Sequence, residues 1–373
     1  MMEGNLLEAA GRKSSRQAVL LGNAGTKRWI YFGKGARQEG LNVVFLDWKE
    51  WERLRPLLLR YREKGIFLKI DPPLWDSCRL DRLNQLEGHY QEQLMAIASL
   101  GEDFPLQFLN RPEGILGLLN KQDCKKRLIQ AGIPVTDILE GAGDNGRIDS
   151  AQKLLELMDD RRVFQVFIKP VAGSGAAGIG AFRFQPKTGR MALYTCAMEN
   201  PEDSGLVNTK KLRCFGESRY FPGSQTVRLL NRLLSLDCIV ERWYPKEEAK
   251  GYSYDLRAVV QDGRMDFCLA RLSKGPITNL HLNNHPLPAS QLGLPSQVFQ
   301  EIENICLEAL RCYPGLRSAG IDLLLEKGSL RPRIIEMNGQ GDLIYQDIFN
   351  ENKIYRHQAR MIRQFCDSAY LQR

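Results

Sequence analysis

No two of the nine cysteines (Cys78, Cys124, Cys196, Cys214, Cys238, Cys268, Cys306, Cys312 and Cys366) stand in a CxxC pair, and their number is odd. Neither a zinc centre nor a disulfide framework is therefore expected. No apolar run approaches the ~20 residues that span a bilayer, so no membrane partner is expected either. The first residues hold no apolar signal core, and reduced thiols without an export signal point to the cytoplasm. Internal repeats and low-complexity tracts are also missing.

What remains is an ordinary globular composition. The 373 residues are 43% hydrophobic and 26% charged, close to average usage, and long enough for two or three lobes. A formal charge of +8 would suit a polyanion, but the basic residues are interspersed with acids. Much of the excess falls in segments such as 121–127 and 242–250, where a nucleotide pocket can use it. Charge alone is unspecific, so a nucleic-acid partner is not expected.

Residues 18–21 and 41–46 read as buried strands, with the basic, aromatic segment 27–38 between them as the crossover helix of a β-α-β unit. The first lobe is therefore expected to be Rossmann-like. Trp51, Leu54, Leu58 and Tyr61 recur at helical spacing as a packing face. A linker-like stretch near residues 109–112 puts the first domain boundary at Arg111. A basic helix over 121–131 then stops at Gly132-Ile133-Pro134. Beyond Val163 the pattern is of strands, with Asp262-Gly263 and Lys327-Gly328-Ser329 as turns and one long helix over 298–312. Strand pairs flanked by helices give an α+β class in which sheets present the chemistry.

Two motifs carry chemistry. The first is a buried strand, 164–168, that delivers Lys169-Pro170 and then Gly173-Ser174-Gly175-Ala176-Ala177-Gly178-Ile179-Gly180. Glycines let successive N–H groups converge on phosphate oxygens, and a lysine at the strand end supplies countercharge. No GK[ST] follows, so this is not a Walker A loop.

The second is a hairpin of residues 320–325 and 333–338. Glu336 and Asn338 are two apart and share a face. A turn centred on Ser329 sets Asp322 directly opposite Glu336, with Cβ atoms about 4.5–5.5 Å apart. Facing carboxylates repel unless a cation sits between them, so removing one is expected to keep or raise the stability of the metal-free protein. Oxygen ligands without His or Cys select magnesium, or manganese, over zinc.

Glycine loop, lysine and acidic strand pair together resemble the ATP-grasp superfamily, especially ribosomal-protein glutamyl ligases and glutathione-synthetase-like enzymes, over residues of about 110–343. Asn120-Lys121 resembles the family's first ATP lysine segment, and Lys169 with residues 173–180 the second lysine and the phosphate-covering loop. Ile239-Val240-Glu241-Arg242-Trp243 is similar to the hinge strand that holds adenine there. Arg257 and Arg271 match arginines that brace transferred phosphate, and Asp322, Glu336 and Asn338 match metal ligands.

The resemblance implies an ATP-grasp fold with an N-terminal Rossmann-like pre-ATP-grasp domain over 1–111 and an ATP-grasp domain over 112–373. Within the latter it implies a lid at about 150–236 and a metal and catalytic part at about 237–373. It implies an ATP- and Mg2+-dependent ligase, Mn2+ being an alternative ion, that joins a small-molecule or peptide carboxylate to an amine through an acyl phosphate. By resemblance the catalytic residues are Arg257 and Arg271, and the nucleotide residues Lys121, Lys169, Gly173, Ser174, Gly175, Gly178, Glu241 and Trp243. The ribose acid is Glu247, Glu248 or neither. A phosphotransferase and a non-catalytic ATP-binding protein are the alternatives; a homo-oligomer is left open. The segment 194–225 has no clear family equivalent.

Overall fold

The computed structural model describes residues 16–74, 79–141, 146–173, 176–282, 284–340, 349 and 351–368. Contacts divide the chain into one unit of residues 1–74, 95–112 and 342–373 and another of residues 75–94 and 113–341. No helix among the described residues is long and apolar enough to cross a membrane.

The first unit is a four-stranded parallel sheet built from β1 (Gln17–Gly22), β2 (Val43–Asp47), β3 (Ile66–Ile70) and β4 (Leu106–Phe108), in the order β2-β1-β3-β4. Helix α1 (Lys27–Gln38) makes the expected crossover, and Thr26 caps it by accepting the Trp29 N–H. Helix α2 (Leu54–Arg60) carries Leu54 and Leu58 inward. Helix α3 (Leu83–Asp103) is divided, its residues 83–94 counting with the second unit and the rest with the first.

The single cut expected at Arg111 also misses the return of the chain. Its last helix, α9 (Lys353–Asp367), packs on α1 in the first unit. Gly35 permits this approach, since a Cβ there would meet the Tyr355 carbonyl carbon at 2.9 Å. Arg356 and Arg360 of α9 hold the buried Glu39 at 3.1 and 3.0 Å. A segment that returns to this unit only after residue 341 cannot be assigned to it by local pattern.

After its part of α3, the second unit continues with α4 (Pro112–Leu119), from Glu113 on, and α5 (Lys121–Gln130). Its first sheet comprises β5 (Ile138–Leu139), β6 (Gln165–Pro170), β7 (Gly180–Gln185), β8 (Arg190–Glu199), β9 (Leu206–Glu217) and β10 (Cys238–Arg242), ordered β5-β10-β6-β7-β8-β9. Helices α6 (Ala151–Asp160) and α7 (Gln225–Leu234) cover one face, packing Leu154, Met158, Leu230 and Leu233 on Val166, Ile168, Phe182 and Leu193. The opposite face presents Phe167, Lys169 and Glu241, because strand side chains alternate. The segment 194–225 supplies most of β8 and β9, the outer pair of this sheet.

The second sheet holds β12 (Tyr252–Gln261), β13 (Arg264–Ser273), β14 (His285–Pro288), β15 (Ser318–Leu325) and β16 (Pro332–Asn338), in the order β14-β13-β12-β15-β16, with the short β11 (Glu248–Ala249) on β12. Asp262 and Gly263, at φ 50° and 77°, close the β12–β13 hairpin in two residues. Helix α8 (Ser296–Arg311) buries Ile302, Ile305 and Cys306, packing on β12 and β13.

Candidate functional site

The β15–β16 pairing brings Asp322 opposite Glu336, and β12 adds Arg257 to the same row. The turn is not centred where the sequence places it. Pairs near the turn, such as Leu323 with Ile334, run one residue short, and a bulge at Ile335 restores the expected partner at Asp322. The expected naked repulsion is also replaced. Arg257 grips Asp322 through Nε and, at 3.1 Å, through Nη2, while Arg271 Nη2 lies 3.2 Å from it. Two guanidinium groups thus neutralise Asp322, so removing an acid from this row does not simply relieve strain.

Glu336 lines the same cleft and accepts the Asn338 amide at 3.2 Å. Burial opposes its charge, but Lys121, Lys169 and Arg257 outweigh that and hold the carboxyl below its ordinary range. One strand pair away, Asp255 takes Arg271 Nε and Nη2 at 2.7 and 2.8 Å and also accepts the Thr278 hydroxyl.

The start of α5 and strand β6 of the first sheet face this row with ammonium groups, Lys121 and Lys169. Lys121 Nζ donates to the carbonyls of Val171 and Gly173 at 3.3 and 2.5 Å, holding the start of the glycine loop. Gly173, at φ 100°, gives its N–H to Glu87 Oε2 at 2.8 Å. Burial pushes the Glu87 carboxyl up and the Lys121 ammonium down. Gly178 needs to be glycine, because its φ is 68° and a Cβ would meet Pro170 Cγ at 2.7 Å. Ser174 and Gly175 lie outside the described residues.

Lys121, Lys169, Gly173, Glu241, Arg271, Asp322 and Glu336 line one cleft of about 780 Å3, part of it open solvent, between the two sheets of the second unit. Phe167, Leu324 and Ile335 give it apolar walls. No protein-family profile matches the sequence, and no curated protein matches it. Among solved structures the chain is similar to the ATP-grasp ligase PsnB complexed with minimal precursor, at TM-score 0.56 and 13% identity over 93% of this chain and 98% of that one. It is similar to macrocyclase MdnC bound with precursor peptide MdnA from Microcystis aeruginosa MRC, at 0.56 and 13% over 93% and 99%. D-cycloserine synthetase DcsG matches at 0.54 and 11% over 93% and 99%. The chain has the ATP-grasp fold.

Within that ATP-grasp fold, four of the residues singled out in the sequence stand beside the cleft instead of lining it. Arg257 and Asn338 touch it through Asp322 and Glu336. Gly178 shapes the loop. The Trp243 ring packs on Phe167 and Tyr194, at centroid distances of 5.3 and 6.4 Å, and the Trp243 backbone N–H donates to the Gln165 carbonyl at 3.0 Å.

Glu247 and Glu248 lie at the far end of a hairpin. Glu247 accepts the Gly328 N–H at 2.9 Å, and Glu248 pairs with Lys327 at 2.7 Å. The neighbouring Lys246 lines the cleft instead, donating to Thr278 at 3.0 Å with Asp255 at 3.7 Å. Sequence reasoning also passed over Lys125, Thr136 and Asp255. For Lys125 the signal was its spacing of four from Lys121 along α5, which puts both on one helix face.

The donor set fits a magnesium ion only in part. No cluster of three His, Cys, Asp or Glu side chains suited to a metal occurs among the described residues. Two carboxylates and an amide supply hard oxygens, and phosphate oxygens of a bound nucleotide would complete the six that magnesium requires.

Proposed function

We propose that the protein is an ATP- and magnesium-dependent carboxylate–amine ligase. The observation that carries this is the convergence of Lys121, Lys169 and Arg271 with Asp322 and Glu336 in one cleft of an ATP-grasp fold. Phosphoryl transfer asks a protein chiefly for positioning and neutralisation of charge, which such a set of cations supplies. Asp322, Glu336 and Asn338 are the residues that would hold magnesium, or manganese, which when bound would neutralise phosphate charge. Lys121 and Lys169 exchange their internal oxygen partners for phosphate oxygens, and Arg257 and Arg271 brace the transferred group.

An oxygen of the acid attacks the γ-phosphorus and ADP leaves. The amine nitrogen then attacks the acyl carbon, losing a proton as phosphate departs. The apolar walls at Phe167, Leu324 and Ile335 suit adenine, alongside β10 with Glu241 and with Trp243 just beyond its end.

Neighbours of this fold include ligases solved with precursor peptides and a synthetase of a small molecule, which supports a peptide or small-molecule acid and amine. A cytoplasmic setting, where ATP and reduced thiols occur, belongs to the same proposal. The test is ADP release by the full chain across a panel of acids crossed with amines. Release that requires both an acid and an amine, with the amide found by mass spectrometry, is the expected result. Release with one acceptor alone and a stable phosphorylated product would make it a phosphotransferase.

A further inference from the structure

Lys125 is a buried lysine that the proposed chemistry does not use. It is 2% exposed and lies behind Glu241, outside the described lining of the cleft. Glu241 is equally buried at 2% and receives three donors, which divide between its two oxygens. Lys125 Nζ lies 2.6 Å from Oε1. Lys169 Nζ and the Thr136 hydroxyl each lie 2.8 Å from Oε2. Lys125 also donates to the Thr136 hydroxyl and, at 3.4 Å, to the Thr136 carbonyl, so Lys125, Thr136 and Glu241 form a closed triangle.

Lys169 stands outside that triangle and faces the cleft. Two ammonium groups thus share the Glu241 carboxylate in a buried cluster, and Glu336 is the other carboxylate whose charge acts on Lys169. Withdrawing Lys169 leaves one donor on each Glu241 oxygen: Lys125 on Oε1 and Thr136 on Oε2. Without Lys125, Glu241 and Lys169 would form a one-to-one pair, and moving Lys169 to a phosphate would leave a buried carboxylate with no ammonium beside it.

We propose that Lys125 is a positioning residue: it keeps Glu241 neutralised so that Lys169 can move from that carboxylate to the phosphates of a bound nucleotide. This rests on ATP binding in the cleft, as proposed above. Burial, offset by Glu241 and reinforced by Lys169, brings the Lys125 ammonium down to about 8, so it is charged at neutral pH, as the role requires.

The experiment measures Mg-ATP affinity by calorimetry for the full-length chain and for K125M, K125R, E241Q and the double variant K125M/E241Q. K125M should bind about tenfold more weakly than wild type, the effect of one charge-assisted hydrogen bond. K125R keeps the charge and should stay within about threefold of wild type. Glu241 lines the cleft, so E241Q is the reference for the double variant and not a silent control: the double variant should bind within about threefold of E241Q, because a neutral residue 241 no longer competes for Lys169.

A double variant as weak as K125M, or a K125M that binds like wild type, overturns the role. If K125M does not fold, the double variant, which loses the Glu241 carboxylate together with the lysine that neutralises it, decides alone by the same comparison with E241Q. Wild type that binds no ATP overturns the ligase proposal and this one together. Wild type that binds while the rescue fails overturns this one only.

Discussion

Replacing Glu336 by glutamine separates a metal ligand from a structural acid at almost constant shape. In the ligand-free protein the Glu336 charge is favourable on balance, since Lys121, Lys169 and Arg257 outweigh the cost of burial. Glutamine should therefore lose stability. The loss is limited because each cation keeps another oxygen: Lys121 has the Val171 and Gly173 carbonyls, Lys169 has Glu241, and Arg257 has Asp322.

Orphaning a buried ion costs about 3–5 kcal/mol, whereas losing one shared partner costs about 1–2 kcal/mol. That corresponds to a fall in Tm of about 2–8 °C for a unit of this size. The same change removes one of the two carboxylates available to magnesium. ATP affinity is then measured with magnesium and with a chelator. The gain that magnesium confers should shrink at least about tenfold, and ADP formation should stop. A variant whose ATP affinity still rises with magnesium as in wild type, or that turns over normally, refutes the metal assignment. A fall in Tm beyond about 10 °C would make Glu336 a structural ion-pair residue instead.

Lys169→Ala should lower ATP affinity at least about tenfold while shifting the Tm of the ligand-free protein by only about 2–4 °C, because Glu241 keeps Lys125 and Thr136. Unchanged affinity in a calorimetric titration would remove Lys169 from the nucleotide site. Gly178→Ala, which combines a φ of 68° with a 2.7 Å contact, should cost about 1–3 kcal/mol in denaturant unfolding and weaken ATP binding by displacing the loop. A variant as stable as wild type would show that the loop does not need this conformation.

The two lysines beside Glu241 give its carboxyl a pH-dependent effect on stability. Burial would raise it, but Lys125 and Lys169 hold it at about 2, below its ordinary 4.5, so its charge stabilises the fold above about 4.5 and that stability is lost as pH falls towards 2. The acid limb of Tm against pH should therefore be shallower in Glu241→Gln between those values. Superimposable limbs would contradict the pairing.

The sequence by itself determined what depends on short-range periodicity. Alternation along a strand put Glu336 and Asn338 on one face, and a strand ending at Lys169 before a glycine run placed that lysine at the mouth of a loop. Charge run and stop signals located α5, with Gly132 at φ 75° after its end. The opposition of Asp322 and Glu336 was legible as well, although the structure reaches it through an early turn and a compensating bulge that no periodicity announces.

Partners that come from distant segments were decided only by the tertiary structure. Within the basic run after Asn120, Lys125 turns in to Glu241, 116 residues away, while Lys126 turns out to an exposed pair with Glu140. Arg257 and Arg271 are spent first on Asp322 and Asp255, and Lys246 enters the cleft where Glu247 and Glu248 do not. Helix α9 joins the first unit although the chain has traversed the whole second unit to reach it. Local rules set which face a side chain takes. Which oxygen a buried cation finds there depends on register and long-range closure, and those are set by the burial of the whole core.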